Sequence, residues 1–453
     1  MANLFAYSIL LIWPLISIII FKRVNTVYAG FIVLMVGYLL LPTNVAIDFP
    51  LVPPLDKESI SAISVLFGYI YIRRMKISLI PKYGVERWLF IMMLVTPFIT
   101  TIDNHEPIFN GERIIPGLSL YDGLSAVISQ YIELIAFLLG LQLIKSHDDQ
   151  LKIFQVVVIA VLWYSIPILF EIRMSPQLHK WIYGFFQHES FNQMRRQGGF
   201  RATVFLKHGI HVASFIAIGI GFSVLLWKEK IKTYNFSALA IVIYFIILLI
   251  LSKTLGALVL GVFLLISIGF FSYKKIIFSA LVIAFIIIFY PLLNIFEYFP
   301  NELILDLAGE IDSERADSLA YRFNNEERLL GHGYQKLFFG WGGWGRSRFF
   351  DTVTDGYWIS IFGQYGLIGF LSFFGLGVIS ILRALKASKL LSASKAEQFT
   401  LTGYALIVSI ILVEQLLNHT LYSWGWFLIG GLLGRANSII DKNNKARYVD
   451  NNF

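Results

Sequence analysis

From residue 4 to residue 438 the chain is a succession of apolar runs, each about as long as a bilayer is thick. This constrains the fold more than any other feature. A helix that crosses the hydrocarbon core needs about 20 mostly apolar residues. Such runs fall at 4–21, 26–42, 58–72, 88–102, 123–144, 152–171, 204–227, 237–252, 255–272, 276–297, 353–382, 399–416 and 422–438. The 58–72 run is short and the 252–255 break is tight. Residues are 57% hydrophobic and only 15% charged, where soluble domains run near 25% charged. A soluble core could not hide so much apolar surface. The pattern predicts an all-α polytopic membrane protein of roughly 12–13 transmembrane helices, with residues 1–453 as a single membrane domain. Residues 4–21 are too long for a signal-peptide core and read as a first span.

Loop charges orient the spans. Lys22, Arg23, Arg73, Arg74, Lys76, Lys82, Arg87, Lys228, Lys230, Lys232, Lys274 and Lys275 fall on one side of a thirteen-span arrangement. Arg383, Lys386, Lys389, Lys395, Arg435, Lys442, Lys445 and Arg447 fall on that side too. The positive-inside rule makes it cytoplasmic, with the N-terminus outside and the C-terminus inside. The formal charge of +8 then reflects the lipid bilayer, and no nucleic acid partner is expected. There is no cysteine, hence no disulfide or thiolate chemistry.

Two long loops are left outside, 172–203 and 298–352, and both break the charge rule. They hold Arg173, Lys180, Arg195, Arg196 and Arg201, then Arg315, Arg322, Arg328, Lys336, Arg346 and Arg348. Arginine outnumbers lysine nine to two. The guanidinium fork matches phosphate oxygens in bidentate geometry, which points to a phosphate-bearing substrate. The alternative is ion pairing with Glu310, Asp312, Glu314, Glu326 and Glu327. A helix is expected over about Ser318 to Gly331. Aromatics crowd beside the loops: Trp181, Tyr183, Phe185, Phe186, Trp341, Trp344, Tyr357 and Trp358. They read either as an interfacial belt or as a stacking surface for sugars.

Three constellations could carry chemistry. In the first, Gly198-Gly199 leads through Arg201 and Lys207 to His208, expected about two turns into a span, with His211 beyond it. Ionisable residues inside a membrane are costly and often functional. The competing role for these histidines is helix packing. In the second, Arg322 and Arg328 precede the run Phe339-Gly340-Trp341-Gly342-Gly343-Trp344-Gly345-Arg346, which no regular helix accommodates. The third is Thr354-Asp355-Gly356-Tyr357-Trp358, then Gln364-Tyr365-Gly366. It places a carboxylate at a span's outer end, suited to a general base or to a helix N-cap.

RATVFLKH (201–208), an arginine ahead of an FGWG-type run, and TDGYWISIFGQYGLIGF (354–370) together resemble the membrane family of O-antigen ligases and O-antigen or exopolysaccharide polymerases. The second half of the chain carries the likeness; the first half shares only hydropathy and span layout. That family pairs an arginine with a histidine seven residues on, as Arg201 and His208 stand. Its second arginine corresponds best to Arg322, then Arg328. Its ligases open the following span with a histidine where this chain has Asp355, a departure that favours polymerase-like members.

The resemblance implies an inverting, metal-independent glycosyltransferase on the periplasmic face of a bacterial inner membrane, with no cofactor. The donor would be a polyprenyl-diphosphate-linked glycan and the acceptor a growing glycan or lipid core. Arg201 and Arg322 would hold the diphosphate, with Asp355 or His208 as base. Arg196, Arg328, Arg346, Trp341, Trp344 and Lys207 would line the substrate site. A chain-length regulator or a flippase would be a natural partner. No Walker motif, HExxH or nucleophile elbow is visible. A lipid-linked glycan flippase or secondary transporter is the competing class, with Glu133, Glu414 and Lys253 as its mid-membrane candidates. Oligosaccharide transfer to protein is a third reading that the residues do not separate from the first.

Overall fold

The computed structural model describes residues 2–48, 53–82, 84–111, 113–188, 190–196, 198–296, 298–311, 313–391 and 393–450. The described helices are α1 (Leu4–Arg23), α2 (Thr26–Leu40), α3 (Lys57–Phe67), α4 (Val85–Ile102), α5 (Leu120–Leu143), α6 (His147–Met174), α7 (Leu178–Tyr183) and α8 (Gly209–Lys228). They continue with α9 (Ala238–Leu251), α10 (Leu255–Phe270), α11 (Tyr273–Ile295), α12 (Asn301–Ile311), α13 (Ser313–Tyr334), α14 (Tyr357–Leu390), α15 (Lys395–Leu417) and α16 (Ser423–Asp450). A wide helical turn, Gly68–Ile72, extends α3. Two antiparallel ribbons complete the fold: β1 (Ile108–Asn110) with β2 (Arg113–Ile115), and β3 (Arg195–Arg196) with β4 (Gly199–Phe200).

Eight helices among the described residues are long and apolar enough to cross a membrane: α1, α4, α5, α6, α8, α11, α14 and α15. α2, α9 and α10 are apolar but shorter. This is a helical multi-pass membrane protein. α8 and α15 are almost wholly buried and form the centre, while α1 keeps most of its surface outward, as a lipid-facing helix does. α5 and α16 approach most closely: a Cβ on Gly140 would stand 2.1 Å from the Phe427 carbonyl oxygen, and one on Gly430 2.0 Å from that of Phe137. Small residues permit such backbone contact where no hydrophobic driving force separates helix from lipid.

The helix starts are written in the sequence. Asp56 accepts from the amides of Glu58 and Ser59 while Ser59 Oγ accepts from the Asp56 amide. Ser119–Asp122 and Ser146–Asp149 form the same reciprocal box at α5 and α6, each worth about 1 kcal/mol. Several starts are shifted from expectation, those of α8 and α13 beside the long loops among them. α8 opens at Gly209 rather than at 204, because residues 201–206 are held in a turn. In the second loop α13 runs over Ser313–Tyr334, longer than the expected 318–331, and α12 precedes it.

Connecting segments gather at two ends. At one end lie the described residues of 41–56, 103–119, 175–208, 252–254, 296–356 and 418–422, joined by contacts such as Asn44 to the Gln187 carbonyl and Lys336 to Asp103. At the other lie the basic connections, tied by Arg73 to the Val24 carbonyl, Arg383 to Glu86, and Arg435 to Glu397 and the Lys145 carbonyl.

The glycine–aromatic run 339–345 inserts into a break in α14. The break is at Gly366, with φ 64° and ψ −164°, a region essentially confined to glycine. A Cβ there would lie 2.3 Å from the Phe338 carbonyl carbon. The freed backbone groups pair with the inserted run: Trp341 N to Gly363 O (2.8 Å), Gly342 N to Gln364 O (2.9 Å) and Leu367 N to Leu337 O (2.7 Å). Irregular backbone at this position is therefore satisfied by protein, as a membrane protein requires.

Candidate functional site

The site is built on the turn from Arg201 to His208. Its amides find side-chain acceptors instead of a helix ladder. Glu171, at the end of α6, accepts from Leu178 N (3.0 Å), Thr203 N (2.9 Å) and Val204 N (2.7 Å). Tyr164 Oη accepts from Phe205 N at 3.1 Å. Gln187 donates to Thr203 Oγ1, Val204 O and Leu206 O. So constrained, Val204 takes a left-handed φ of 52°. That is strained for a β-branched residue, by about 1–3 kcal/mol, and such strain persists where surroundings over-determine it.

This turn fixes Arg201, whose amide extends the β3–β4 ribbon through the Met194 carbonyl. Its side chain is only 3% exposed. Nη2 donates to Thr254 Oγ1 at 3.0 Å, and the buried Nε has no partner among the described residues. Burial lowers its pKa to about 10, with the guanidiniums of Arg196 and Arg322 adding to the effect. Arg201 thus feels the charges of Arg196, in its own loop, and of Arg322, on α13, and among the described residues no carboxylate pairs with it.

Arg322, on α13, has Nε 3.4 Å from Asp355 Oδ2. Asp355 immediately precedes Gly356, the residue that caps α14, and no side chain caps that helix. The N-cap role is therefore not what Asp355 does. His208 does cap: its Nδ1 accepts from Ile210 N at 3.2 Å. It stands at the mouth of α8, not two turns inside it. A ring nitrogen that accepts is the unprotonated one, so the hydrogen is on Nε2. Burial pushes the His208 pKa down to about 3, with Arg201, His188, Arg322 and Arg196 adding to it. The ring is a neutral donor.

His208, Arg322 and Asp355 line a cavity of about 590 Å³, within the range of ligand pockets. Lys207, His208, Arg322 and Asp355 form one wall. Asp56, Lys57 and Glu58 at the start of α3, with His211, His419 and Tyr422, form the other. His211 Nδ1 and Tyr422 Oη are 2.9 Å apart. His419 stacks on Tyr357, ring centroids 3.8 Å apart, and burial holds its pKa down to about 4. Beside Arg322 and Asp355, Glu326 accepts from Tyr290 Oη (2.9 Å) and Trp358 Nε1 (3.3 Å). Burial raises its carboxyl to about 7 against the donors' opposing pull, and Asp355 adds to the rise. No group of three or more His, Asp or Glu side chains among the described residues is placed to chelate a metal ion.

Other residues expected at the site lie elsewhere. Arg346 is 1% exposed and donates to the carbonyls of Trp341, Pro116 and Glu106. It clamps the β1–β2 segment onto the glycine–aromatic run, so its guanidinium is committed to structure rather than to a substrate. Trp341 donates to the His332 carbonyl and stacks on the His332 ring at 4.6 Å. Trp344 hydrogen-bonds Asp122. Arg328 pairs with Asp351 at 2.9 Å and sits over Phe349; this is the ion pairing weighed as an alternative, with a different acid. Glu326 pairs with no arginine among the described residues. Asp312 lies outside the described residues. Trp358 is buried in the core and Trp181 is exposed.

The candidates for a transporter are occupied. Glu133 accepts from Trp426 Nε1 at 2.8 Å, and Glu414 accepts from Ser214 and Thr420. Lys253 is not mid-membrane: it sits in the turn between α9 and α10 and donates to the Arg196 carbonyl. Sequence reading missed Glu171, Gln187, the Asp56–Glu58 wall and His419. Glu171 did carry a signal, as a carboxylate closing an apolar run.

No family model matches this chain, and no curated protein matches it.

Proposed function

We propose that this chain is an integral-membrane glycosyltransferase that polymerises or ligates a polyprenyl-diphosphate-linked glycan. One observation carries the reading: Arg201 is buried, has no carboxylate partner among the described residues, and lies close enough to Arg196 and Arg322 to feel their charges, with Arg322 lining a large cavity. Burying a charge costs several kcal/mol unless it is paired. A buried cation made costlier by two neighbouring cations is compensated when an anion with more than one charge enters. A diphosphate is such an anion.

The topology that fits has thirteen crossings, counting α3 with its wide turn and α16. The end rich in lysine and arginine connections then faces the cytoplasm. The cavity end, with the loops 172–203 and 298–352, faces the periplasm of a bacterial inner membrane, where lipid-linked glycans are displayed.

The reaction would be an inverting displacement. An acceptor hydroxyl oxygen bonds to the anomeric carbon as the bond to the diphosphate oxygen breaks, and the diphosphate leaves with the electron pair. Asp355 takes the hydroxyl proton. Arg201 and Arg322 stabilise the charge growing on the leaving group, and preorganised donors in a water-poor site are strongest for that purpose. His208 offers its Nε2 hydrogen to the same charge. It serves as donor rather than base, since its Nδ1 lone pair is used in capping α8 and its pKa is depressed.

Arg201→Ala tests the reading in cells. Long-chain surface polysaccharide should disappear while the protein remains at wild-type level in the membrane. Normal polysaccharide at normal expression would exclude the diphosphate site.

A further inference from the structure

A second cavity, of about 340 Å³, opens at the same end of the bundle and shares no lining residue with the arginine basin. Thr100, Thr101, Ser125, Ser129, Tyr365 and Trp344 contribute to its walls. Trp344 is its distinctive member. The indole is 75% exposed, yet its backbone is held at φ 59°, where a bulky side chain is a genuine outlier. Its Nε1 donates to Asp122 Oδ1 at 2.9 Å. The other oxygen of Asp122 is fixed by the Ser119 amide and hydroxyl, at 2.7 and 2.6 Å.

The strain costs about 1–3 kcal/mol and secures no burial of the ring. An indole that merely rests at a lipid interface needs neither a left-handed backbone nor a carboxylate clamp on its edge. The arrangement fixes the ring's orientation while leaving it in the open. In the same lining, Thr100 and Thr101 use their hydroxyls on helix carbonyls, whereas among the described residues Ser125 and Ser129 have no hydrogen-bond partner. An oriented aromatic ring and hydroxyls lining one cavity are the chemistry that receives a sugar ring: apolar C–H against the indole, hydroxyl against hydroxyl.

We infer that this cavity is a carbohydrate subsite for an uncharged stretch of glycan, held apart from the arginine basin. The inference rests on the glycan reading above but needs no phosphate, so the two can fail separately.

The test uses the purified full chain, fluorescently labelled in lipid nanodiscs, on an array of phosphate-free oligosaccharides. Wild type and Arg201→Ala should both retain at least one oligosaccharide. Trp344→Ala and Ser129→Leu, which fills the cavity, should weaken its retention by at least about tenfold, with size-exclusion profiles unchanged. Retention of no oligosaccharide by wild type would overturn the inference. So would wild-type retention in both cavity variants, or its loss in Arg201→Ala. Co-purified lipid depleted in Trp344→Ala would overturn it in favour of a lipid occupant. Polymer formation by Arg201→Ala tests the transfer reading independently.

Discussion

Arg322 and Asp355 form a contact of 3.4 Å between α13 and the segment opening α14, each about one-third exposed. The pair joins the second long loop to the core of the bundle and places a carboxylate next to the cationic wall. Asp355→Asn keeps the shape and removes the proton acceptor. Transfer should fall by about 10²–10⁴-fold with membrane levels unchanged, measured by polymer formed from a lipid-linked donor. A fully active variant would remove Asp355 from the chemistry.

Arg322→Lys keeps the charge but loses the planar fork. Transfer should fall by at least about tenfold, because arginine and lysine are not interchangeable where two oxygens are held at once. Steady-state kinetics on the same donor checks this. Equal rates would mean that only net charge matters at this position.

His208→Asn separates donor from base. Asparagine can cap α8 through its side-chain oxygen and still offer an N–H, so folding and a measurable fraction of activity should survive. His208→Ala should cost about 1 kcal/mol of stability through the lost cap and nearly all transfer. The pH–rate profile of His208→Asn should keep the wild-type shape, since the ring is already neutral above about 3. A profile that loses its acidic limb in this variant would assign the base to His208.

Glu326 makes the fold pH-sensitive. Its carboxyl is raised from 4.5 to about 7, so the folded protein holds a proton there that the unfolded chain releases. The resulting stability is full below the unfolded value of 4.5 and is lost as pH rises through about 7. By linkage, melting of the protein in detergent should fall across that window, and Glu326→Gln should flatten the fall. An unchanged slope in Glu326→Gln would place the sensitivity elsewhere.

Gly366→Ala should sharply reduce folded yield. The substitution forces a left-handed backbone on alanine and a 2.3 Å approach to the Phe338 carbonyl carbon, costs that add to several kcal/mol. Size-exclusion of the detergent extract reads this directly.

The membrane helices were legible because apolar length is dictated by the bilayer. A described helix covers each apolar run from 4–21 to 422–438, with boundary shifts at 204–209 and 353–357 where side chains replace helical hydrogen bonds. Arg201, Arg322, Asp355 and His208 were legible as ionisable residues in places that disfavour charge; Arg322, Asp355 and His208 line one cavity, and Arg201 is buried close enough to Arg322 to feel its charge. Arg346, Trp341 and Trp344 were not separable from them in sequence. Their destinations depend on β1–β2, on His332 and on Asp122, contacts more than 200 residues away for Arg346 and Trp344. Local pattern cannot encode such pairings, nor the use of Glu171 as the acceptor for three loop amides.

Binding of a short-chain polyprenyl diphosphate to the purified protein in nanodiscs, by isothermal titration calorimetry, tests the diphosphate site most directly. Wild type should bind, and Arg201→Ala should weaken binding by 2–5 kcal/mol, about 30- to 4,000-fold, as expected for truncating one member of a buried charge cluster. Equal affinity in wild type, Arg201→Ala and Arg322→Ala would contradict the account.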